Sequence, residues 1–318
     1  MGLAVVKLWF GRVFSGAVAA GLCLWLAAVS PVSAQGLPPP SPEAIQVNPE
    51  FEDYLPEVVF FESALPPPPS AFQKRMAEKK GITLTDPEPL TVLGRLYRPE
   101  GIGPFPAIVL LHGAPGIWAW DDFWAERLRS WGYVVLNVDS MTPRGLYQHN
   151  TGIGTTETGV ARRYVGAFPR SLDALGALAY LAARPDVAPG RIAVFGMSEG
   201  GTTAMYAASP RDKPPDAGRF AASLALYPNC HEFKGFDAPL LVLIGDADEW
   251  VSAAHCEAHL ARVDPSHELV FKIYPGAHHG FDFEGLDGRF TGRVMRHDPV
   301  AAPDAVALIR GFLEKYLN

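Results

Sequence analysis

The sequence is poor in positive charge, in cysteine and in clustered metal ligands. Its 318 residues include 27 basic and 34 acidic side chains, for a formal net charge of −7. This balance predicts no basic face and therefore no nucleic-acid partner. His255 and His259 stand four residues apart in a predicted helix, but no third ligand stands at a familiar spacing. We therefore expect neither a metal site nor a cofactor, and the chain shows no internal repeat.

Apolar residues are abundant, and they recur in blocks that alternate between strand-like and helix-like patterns. They make up 48% of the chain, which is enough for one large core. Predicted strands cover 90–97, 107–111, 133–139, 192–195, 222–227, 240–244 and 269–274. Predicted helices cover 122–131, 169–183, 198–208, 253–263 and 303–317. The alternation predicts an α/β fold over 90–318, with a mostly parallel central sheet and helices on both faces.

The first 34 residues have the features of a signal peptide. Lys7 and Arg12 precede an apolar run over 13–29, and Val-Ser-Ala at 32–34 has the small residues typical of a cleavage site. Cleavage there would make Gln35 the first residue of an exported protein, periplasmic or secreted, with no stable membrane insertion. The alternative is an uncleaved membrane anchor, because the apolar run is nearly long enough to span a bilayer.

Residues 35–89 form a proline-rich extension. Two proline runs bracket an acidic stretch that contains four aromatic residues, Phe51, Tyr54, Phe60 and Phe61. Because aromatic rings are unfavourable in water, we expect this stretch to pack on the protein from about residue 51. A short helix is predicted over 70–80, with Ser70 and Gln73 as a capping box and Gly81 as its end.

Removal of a signal peptide would leave two cysteines, Cys230 and Cys256. Cys230 follows a predicted strand, and Cys256 lies in the helix after an acidic loop, so both are expected near the same end of the sheet. Exposed free thiols are uncommon in exported proteins, which favours a disulfide. The alternative is two unpaired thiols, one of them buried as a small hydrophobic residue.

The most informative segment is Gly196-Met-Ser198-Glu-Gly200, which joins a strand-like apolar run to a helix-forming run. Gly-x-Ser-x-Gly at such a junction is typical of a nucleophile elbow, a tight turn that lifts a serine hydroxyl out of a sheet. The two glycines let neighbouring backbone approach without a Cβ clash. Ser198 is therefore the predicted nucleophile. The alternative is an ordinary strand–helix turn.

A nucleophilic serine needs an imidazole base and a carboxylate that orients this base. After an elbow of this kind the acid comes first in the chain and the histidine second. The acid is expected in the loop after the sixth predicted strand, where Asp246, Asp248 and Glu249 crowd together. The base is expected after the seventh predicted strand, at His278 or His279.

The loop after the second predicted strand begins with His112-Gly113-Ala114. A tetrahedral intermediate carries an oxyanion, which needs hydrogen-bond donors that are already in place when the charge develops. The backbone N–H of Ala114, with that of Glu199 after the predicted nucleophile, would form such an oxyanion hole. The alternative is that the glycine only makes a turn.

These motifs resemble the dienelactone hydrolase family of the α/β-hydrolases. The resemblance covers about residues 90–317 and also rests on the segments 139–145, 170–181 and 184–192. It implies an α/β-hydrolase fold and selects two residues. Gly-x-x-Asp after the sixth strand favours Asp248 as the acid, and His-Gly-Phe after the seventh favours His279 as the base.

Two positions depart from that family. Members that cleave dienelactone use a cysteine nucleophile where this chain has Ser198, and a glutamate in the first strand-end loop where this chain has Gly113. The resemblance therefore implies a generic carboxylic ester as substrate rather than dienelactone.

Residues 141–168 are rich in Gly, Thr and Arg, have no clear period, and are expected to overhang the site. Within them Arg144, His149 and Arg163 are candidate substrate contacts. The alternative is structural, because arginines in such loops more often bind backbone or a carboxylate of the protein.

Together the motifs predict an exported serine hydrolase that cleaves a small-molecule carboxylic ester through an acyl-enzyme. A peptidase or amidase with the same triad is one alternative. A catalytically silent α/β-hydrolase used for binding is another, because a fold alone does not fix a function.

Overall fold

The computed structural model describes residues 55–84, 87–146, 165–210, 213–214, 216–230, 235–263 and 266–318. In chain order, its strands are β1 Glu57–Glu62, β2 Thr91–Tyr97, β3 Phe105–Leu111, β4 Val134–Asp139, β5 Val187–Met197, β6 Ala222–Leu226, β7 Leu240–Gly245, β8 Leu269–Tyr274, β9 Asp287–Phe290 and β10 Arg293–Arg296. The helices are α1 Ala71–Lys79, α2 Ala119–Ser130, α3 Ala167–Ala182, α4 Glu199–Ala207, α5 Ala253–Leu260 and α6 Ala301–Leu317, with a 3₁₀ turn at Thr142–Arg144. None of these helices, all in the described part of the chain, is long and apolar enough to cross a membrane.

Eight strands form the central sheet, in the order β1-β2-β4-β3-β5-β6-β7-β8. All pairs from β4 to β8 are parallel, whereas β1 and β2 are antiparallel to their neighbours. The inner parallel strands are mainly apolar, and every residue of β6 and β7 is buried. Such strands are expected where helices cover a sheet on both faces. The carboxyl ends of β3, β5, β7 and β8 lie at the same edge, where α/β sheets bind their ligands.

Side chains of β3, β4 and β5 alternate between two hydrophobic cores. In β3, Ile108 and Leu110 belong to the core that contains residues of α2 and α6. The alternate residues Val109 and Leu111 belong to the core that contains residues of α3. Helices therefore cover both faces of the sheet, and the predicted fold class is confirmed.

The extension before the parallel strands contributes a strand that the sequence does not predict. β1 pairs antiparallel with β2 along its whole length. Phe61 is buried, but Phe60 is 62% exposed, so the expected packing is wrong for Phe60. Phe51 and Tyr54 lie outside the described residues. The predicted short helix is α1, which has the reciprocal capping bonds between Ser70 and Gln73.

A second, two-stranded sheet is the hairpin of β9 and β10, also not predicted. Each strand has only four residues, which is too short for a periodic pattern to be recognised. The hairpin comes shortly after β8 in the chain, and its position relative to the site is described below.

A disulfide joins Cys230, just after β6, to Cys256 in α5, with Cα atoms 5.0 Å apart. Both residues are buried. The bond therefore links one strand end to the helix that follows the acidic loop, near the same edge of the sheet.

Candidate active site

Ser198 occupies the turn between β5 and α4. Its φ of 55° and ψ of −119° are values that residues with a Cβ rarely adopt. The Ser198 N–H donates to the carbonyl of Leu226 at 2.9 Å, so the neighbouring strand β6 holds the turn in place. The strand–turn–helix arrangement is that of a nucleophile elbow, with the serine at the carboxyl end of the sheet.

The two glycines of the elbow are required by close packing of backbone. A Cβ on Gly196 would lie 2.2 Å from the carbonyl oxygen of Gly200. A Cβ on Gly200 would lie 2.0 Å from the carbonyl oxygen of Leu111, at the end of β3. Since the obstructing atoms belong to the backbone, no rotation of a side chain would relieve either clash. The motif therefore follows from the approach of α4 to β3 and β5.

His279 connects Ser198 to Asp248. Its Nε2 lies 3.0 Å from Ser198 Oγ, and its Nδ1 lies 2.7 Å from Asp248 Oδ2. The histidine side chain is 4% exposed and the aspartate side chain is fully buried. A carboxylate beside Nδ1 favours the tautomer with the proton on that nitrogen, which leaves Nε2 to accept the serine proton.

Asp248 is fixed by its own backbone loop. Its Oδ1 accepts hydrogen bonds from the N–H groups of Trp250 at 2.7 Å and Val251 at 3.0 Å. One carboxylate oxygen therefore holds the loop while the other faces the imidazole. This division of contacts leaves the carboxylate little freedom to rotate.

The other two carboxylates of the loop have different partners. Asp246 Oδ1 accepts from the Gly276 N–H at 2.6 Å, and Glu249 Oε2 accepts from the Val294 N–H at 3.0 Å. They join the acid loop to the loop after β8 and to the hairpin. Of the two adjacent histidines it is His279, and not the half-buried His278, that lies next to Ser198.

Aromatic rings and a buried carboxylate surround His279, and sequence reasoning missed them. The Tyr227 ring lies 4.4 Å from the imidazole, centroid to centroid. The Tyr227 hydroxyl donates to Asp282 at 2.8 Å, and the Trp124 indole N–H donates to the same carboxylate at 2.7 Å. Burial, with the Asp282 charge second, raises the pKa of Tyr227, so its hydroxyl stays protonated. No short motif signals this network, because its members lie at least 55 residues apart.

The loop after β3 lies beside the serine. Ala114 is 7% exposed and lines the same pocket as Ser198. Glu199 is the first residue of α4, where backbone N–H groups have no acceptor within the helix. A Cβ on Gly113 would lie 3.9 Å from Ser198 Cβ, so the absence of a side chain leaves space next to the hydroxyl.

Buried polar groups hold the loop after β3 in place. The Ser140 N–H donates to Nε2 of His112 at 3.3 Å, and Nδ1 of His112 lies 2.6 Å from the Gly113 carbonyl oxygen. Arg170, fully buried, donates to the His112 carbonyl. Burial, and then the positive charge of Arg170, lower the pKa of His112, so the imidazole is neutral. Neutral His112 therefore connects the loop after β3 to the backbone of Ser140 without adding a charge.

A pocket of about 180 Å³ opens beside the serine and the histidine. One wall is the loop after β3. Four aromatic side chains also line the pocket, those of Trp118, Trp120, Trp250 and Phe290. Phe290 belongs to the hairpin, which therefore closes one side of the pocket.

Arg144, one of the candidate substrate contacts, binds groups of the protein itself. Arg144 donates to both carboxylate oxygens of Asp173, at 2.8 and 3.0 Å, and to the Ser140 carbonyl at 2.7 Å. These contacts correspond to the structural alternative for Arg144. His149 and Arg163 lie outside the described residues. His255 and His259 lie on α5, and the described residues contain no group of three or more potential metal ligands.

A family model and solved structures relate the chain to known proteins. The model of the dienelactone hydrolase family matches residues 92–317. The chain belongs to the dienelactone hydrolase family. Accordingly it is an enzyme, a serine carboxylic ester hydrolase. No curated protein matches the chain.

Solved structures with a similar fold include several relatives of the dienelactone hydrolase type. A putative dienelactone hydrolase from Klebsiella pneumoniae subsp. pneumoniae is 16% identical, with a TM-score of 0.58 over 82% of this chain and 100% of that one. A structure named m3DLH is 21% identical, with a TM-score of 0.55 over 72% and 94%. Thermogutta terrifontis esterase 2, phosphorylated by paraoxon, is 18% identical, with a TM-score of 0.53 over 71% and 89%. At these identities the likeness shows the shared α/β-hydrolase fold.

Proposed function

We propose that this dienelactone hydrolase family member cleaves a small-molecule carboxylic ester through an acyl-enzyme on Ser198, outside the cytoplasm. The observation that carries the proposal is the continuous hydrogen-bonded chain from Ser198 through His279 to Asp248. A buried imidazole held between a hydroxyl and a carboxylate is the arrangement that activates a serine.

The first half of the reaction forms the acyl-enzyme. Ser198 Oγ attacks the ester carbonyl while His279 Nε2 accepts its proton. The carbonyl oxygen becomes an oxyanion, and the N–H groups of Ala114 and Glu199 bind it. When the carbonyl re-forms, the C–O bond to the alcohol breaks and His279 returns the proton to the departing alkoxide.

The second half releases the acid. A water molecule takes the place of the alcohol, gives a proton to His279 and adds to the acyl carbonyl. Collapse of this second tetrahedral intermediate breaks the bond to Ser198, whose oxygen recovers the proton. Asp248 remains ionised throughout and stabilises the imidazolium that forms in each half.

Covalent labelling tests the nucleophile. Incubation with a fluorophosphonate should modify the wild-type protein once, on the peptide that contains Ser198, as read by mass spectrometry. Thermogutta terrifontis esterase 2, which shares the fold, has been observed phosphorylated by paraoxon. Ser198→Ala should abolish labelling, and Ser209→Ala, at a buried serine after α4, should leave it unchanged. An unlabelled wild type would favour a silent binding protein, and hydrolysis of amides in preference to esters would favour the amidase alternative.

Export is supported by the leader-like N-terminus and by the Cys230–Cys256 disulfide, since disulfides persist mainly in oxidising compartments. The intact mass of the protein purified from a secreting host tests this part. We expect a mature chain that begins at Gln35. A chain that retains residues 1–34 in the membrane fraction would show that the segment is an anchor.

A further inference from the structure

We propose that the pocket beside Ser198 selects esters that carry an aromatic ring, and that Phe290 of the β9–β10 hairpin determines this preference. The inference rests on the proposed ester hydrolysis and specifies its substrate class. Three observations support it: the aromatic residues that line the pocket, the contacts that fix the β9–β10 hairpin, and the volume of the pocket.

Aromatic side chains line the pocket together with the apolar Leu286 and Met295 and the basic Arg289. Phe290 meets Trp118 edge-on, with centroids 6.1 Å apart and planes at 87°. It also meets Trp250 at 6.1 Å, with planes at 33°. Trp250 in turn lies 5.8 Å from the His279 imidazole. The aromatic wall therefore continues from Phe290 to the base that exchanges protons with the substrate.

The hairpin that carries Phe290 is attached to both loops of the catalytic residues. The Val294 N–H donates to Glu249 in the acid loop at 3.0 Å, and the Arg296 N–H donates to the carbonyl of His279 at 3.2 Å. The Arg293 guanidinium lies over the Trp250 ring, 4.9 Å from its centroid. Because these contacts fix the hairpin, the wall is formed before substrate arrives, and ordering it costs little on binding.

The space suits one ring. About 180 Å³ is smaller than the roughly 300–1,000 Å³ of pockets that hold drug-sized ligands. A phenyl ring in this space would meet both faces and edges of the wall, and aromatic pairs prefer offset or edge-to-face contacts. A saturated ring of similar size would lose this electrostatic contribution although it is the more hydrophobic of the two. The preference for the aromatic ring should be about threefold to tenfold in kcat/KM.

Matched ester pairs measure this preference on either side of the carbonyl. Benzyl acetate is compared with cyclohexylmethyl acetate, and methyl phenylacetate with methyl cyclohexylacetate. Each kcat/KM is divided by the rate of hydroxide-catalysed hydrolysis of the same ester, which removes differences in intrinsic reactivity. Methyl acetate, which has no ring, serves as the reference substrate. We expect the aromatic member to be preferred in at least one pair.

Two variants test whether Phe290 determines the preference for an aromatic ring. Phe290→Leu keeps an apolar side chain without a ring and should reduce the preference to about one, while Phe290→Tyr keeps the ring and should retain it. Because the preference is a ratio within one matched pair, a general change in turnover in either variant cancels from it. Phe60→Leu, the same change at an exposed position on β1, is the matched control and should leave the preference unaltered.

The outcomes separate this inference from the proposed function. Equal rates within both pairs, together with turnover of methyl acetate, would overturn the aromatic selectivity and leave the esterase intact. Selectivity that persists in Phe290→Leu would remove Phe290 as its determinant. If Phe290→Leu does not fold, competitive inhibition of the wild type by benzyl alcohol against cyclohexylmethanol decides, and equal inhibition constants would overturn the inference. Absence of both ester turnover and fluorophosphonate labelling would overturn the proposed function itself.

Discussion

At the scale of single residues, three carboxylates in one loop are distinguished by their partners. Asp246 binds the backbone of the loop after β8, Asp248 binds His279, and Glu249 binds the hairpin. Side-chain chemistry is nearly identical among the three. What separates them is which backbone N–H or ring nitrogen the fold brings within reach, and this geometry determines the chemical role.

Replacing each carboxylate in turn tests that distinction. Asp248→Asn keeps the size of the side chain but weakens the preference for the imidazole tautomer with the proton on Nδ1. We expect kcat for methyl acetate to fall by about 10⁴-fold. Asp246→Asn, the matched control, should lower it by less than about tenfold, because the amide oxygen still accepts from Gly276. A larger loss in Asp246→Asn than in Asp248→Asn would reverse the assignment.

The nucleophile and its base should behave as one unit. Ser198→Ala and His279→Ala should each lower kcat by about 10⁴- to 10⁶-fold, and the double variant should be little slower than either single variant. Steady-state kinetics on the three proteins measure this non-additivity. Losses that multiply in the double variant would mean that the two side chains act independently.

Asp121 provides a pH test that does not depend on activity. The residue is fully buried at the start of α2, and burial raises its pKa from 3.8 to about 8. The folded protein therefore keeps this proton up to about pH 8, whereas the unfolded chain releases it above about pH 4. Stability from this group is greatest at low pH and is lost as pH rises toward 8, with a slope of at most about 1.4 kcal/mol per pH unit.

Asp121→Asn removes the contribution of this carboxyl group to the pH dependence of the free energy of unfolding. Urea unfolding at pH 5 and pH 8 should therefore show a smaller fall in the free energy of unfolding for the variant than for the wild type. Asp216→Asn, at an exposed position, is the control and should follow the wild type. A variant whose fall equals that of the wild type would show that Asp121 is ionised in the folded protein.

At the scale of elements, the strands that the sequence predicts are those with a recognisable local pattern of apolar residues. The strands from β3 to β8 contain mainly apolar segments, and the sequence predicts each of them, although β5 begins at Val187 and its predicted part only at 192. The hairpin is different: its residues are mostly exposed, and its position depends on Glu249, 45 residues from Val294. β1 is likewise defined by its pairing with β2 across an intervening helix. Non-local contacts of this kind leave no periodic signal.

The residues of the site likewise fall into those that the sequence predicts and those that it does not. Ser198, Asp248 and His279 follow strand ends in a recognisable order, and the fold brings these three side chains into one hydrogen-bonded chain. Their catalytic roles stay a prediction. Tyr227, Asp282 and Phe290 could not be selected from the sequence, because each acquires its place only through distant partners.

Replacement of Gly200 in the elbow should destabilise the fold more than replacement of the nearby Gly190. Gly200→Ala would place a Cβ 2.0 Å from the Leu111 carbonyl, and α4 would have to move away from β3. We expect the free energy of unfolding to fall by at least about 2 kcal/mol. Gly190→Ala, in β5, meets no atom within 4 Å and should change it by less than about 1 kcal/mol. Equal effects in thermal or urea unfolding would show that the elbow relaxes freely.

At the scale of the whole molecule, the disulfide is a covalent link between two segments 26 residues apart. In the chain-entropy picture such a closed loop stabilises the fold by about 3 kcal/mol. Reduction, or the double change of Cys230 and Cys256 to serine, should lower the free energy of unfolding by that order. Turnover should weaken only modestly, because neither sulfur contacts Ser198 or His279.

Thermal unfolding with and without reductant measures the effect. The control is the serine double variant, whose unfolding should not respond to reductant. Two alkylatable thiols in the unreduced wild-type protein would contradict the bond.

The strand that the extension adds to the sheet also decides where this enzyme can be shortened. The family match begins at residue 92, but β1 lies at 57–62 and is the outer antiparallel partner of β2. A protein trimmed to the family boundary would lose the buried side chains of Val59 and Phe61 and would leave the outer edge of β2 unpaired. An uncovered strand of that kind is a template on which other chains can pair and aggregate. In the longer protein the edge strand is β1 instead, and its exposed Glu57 and Glu62 place charge at the sheet edge, which disfavours pairing with another molecule.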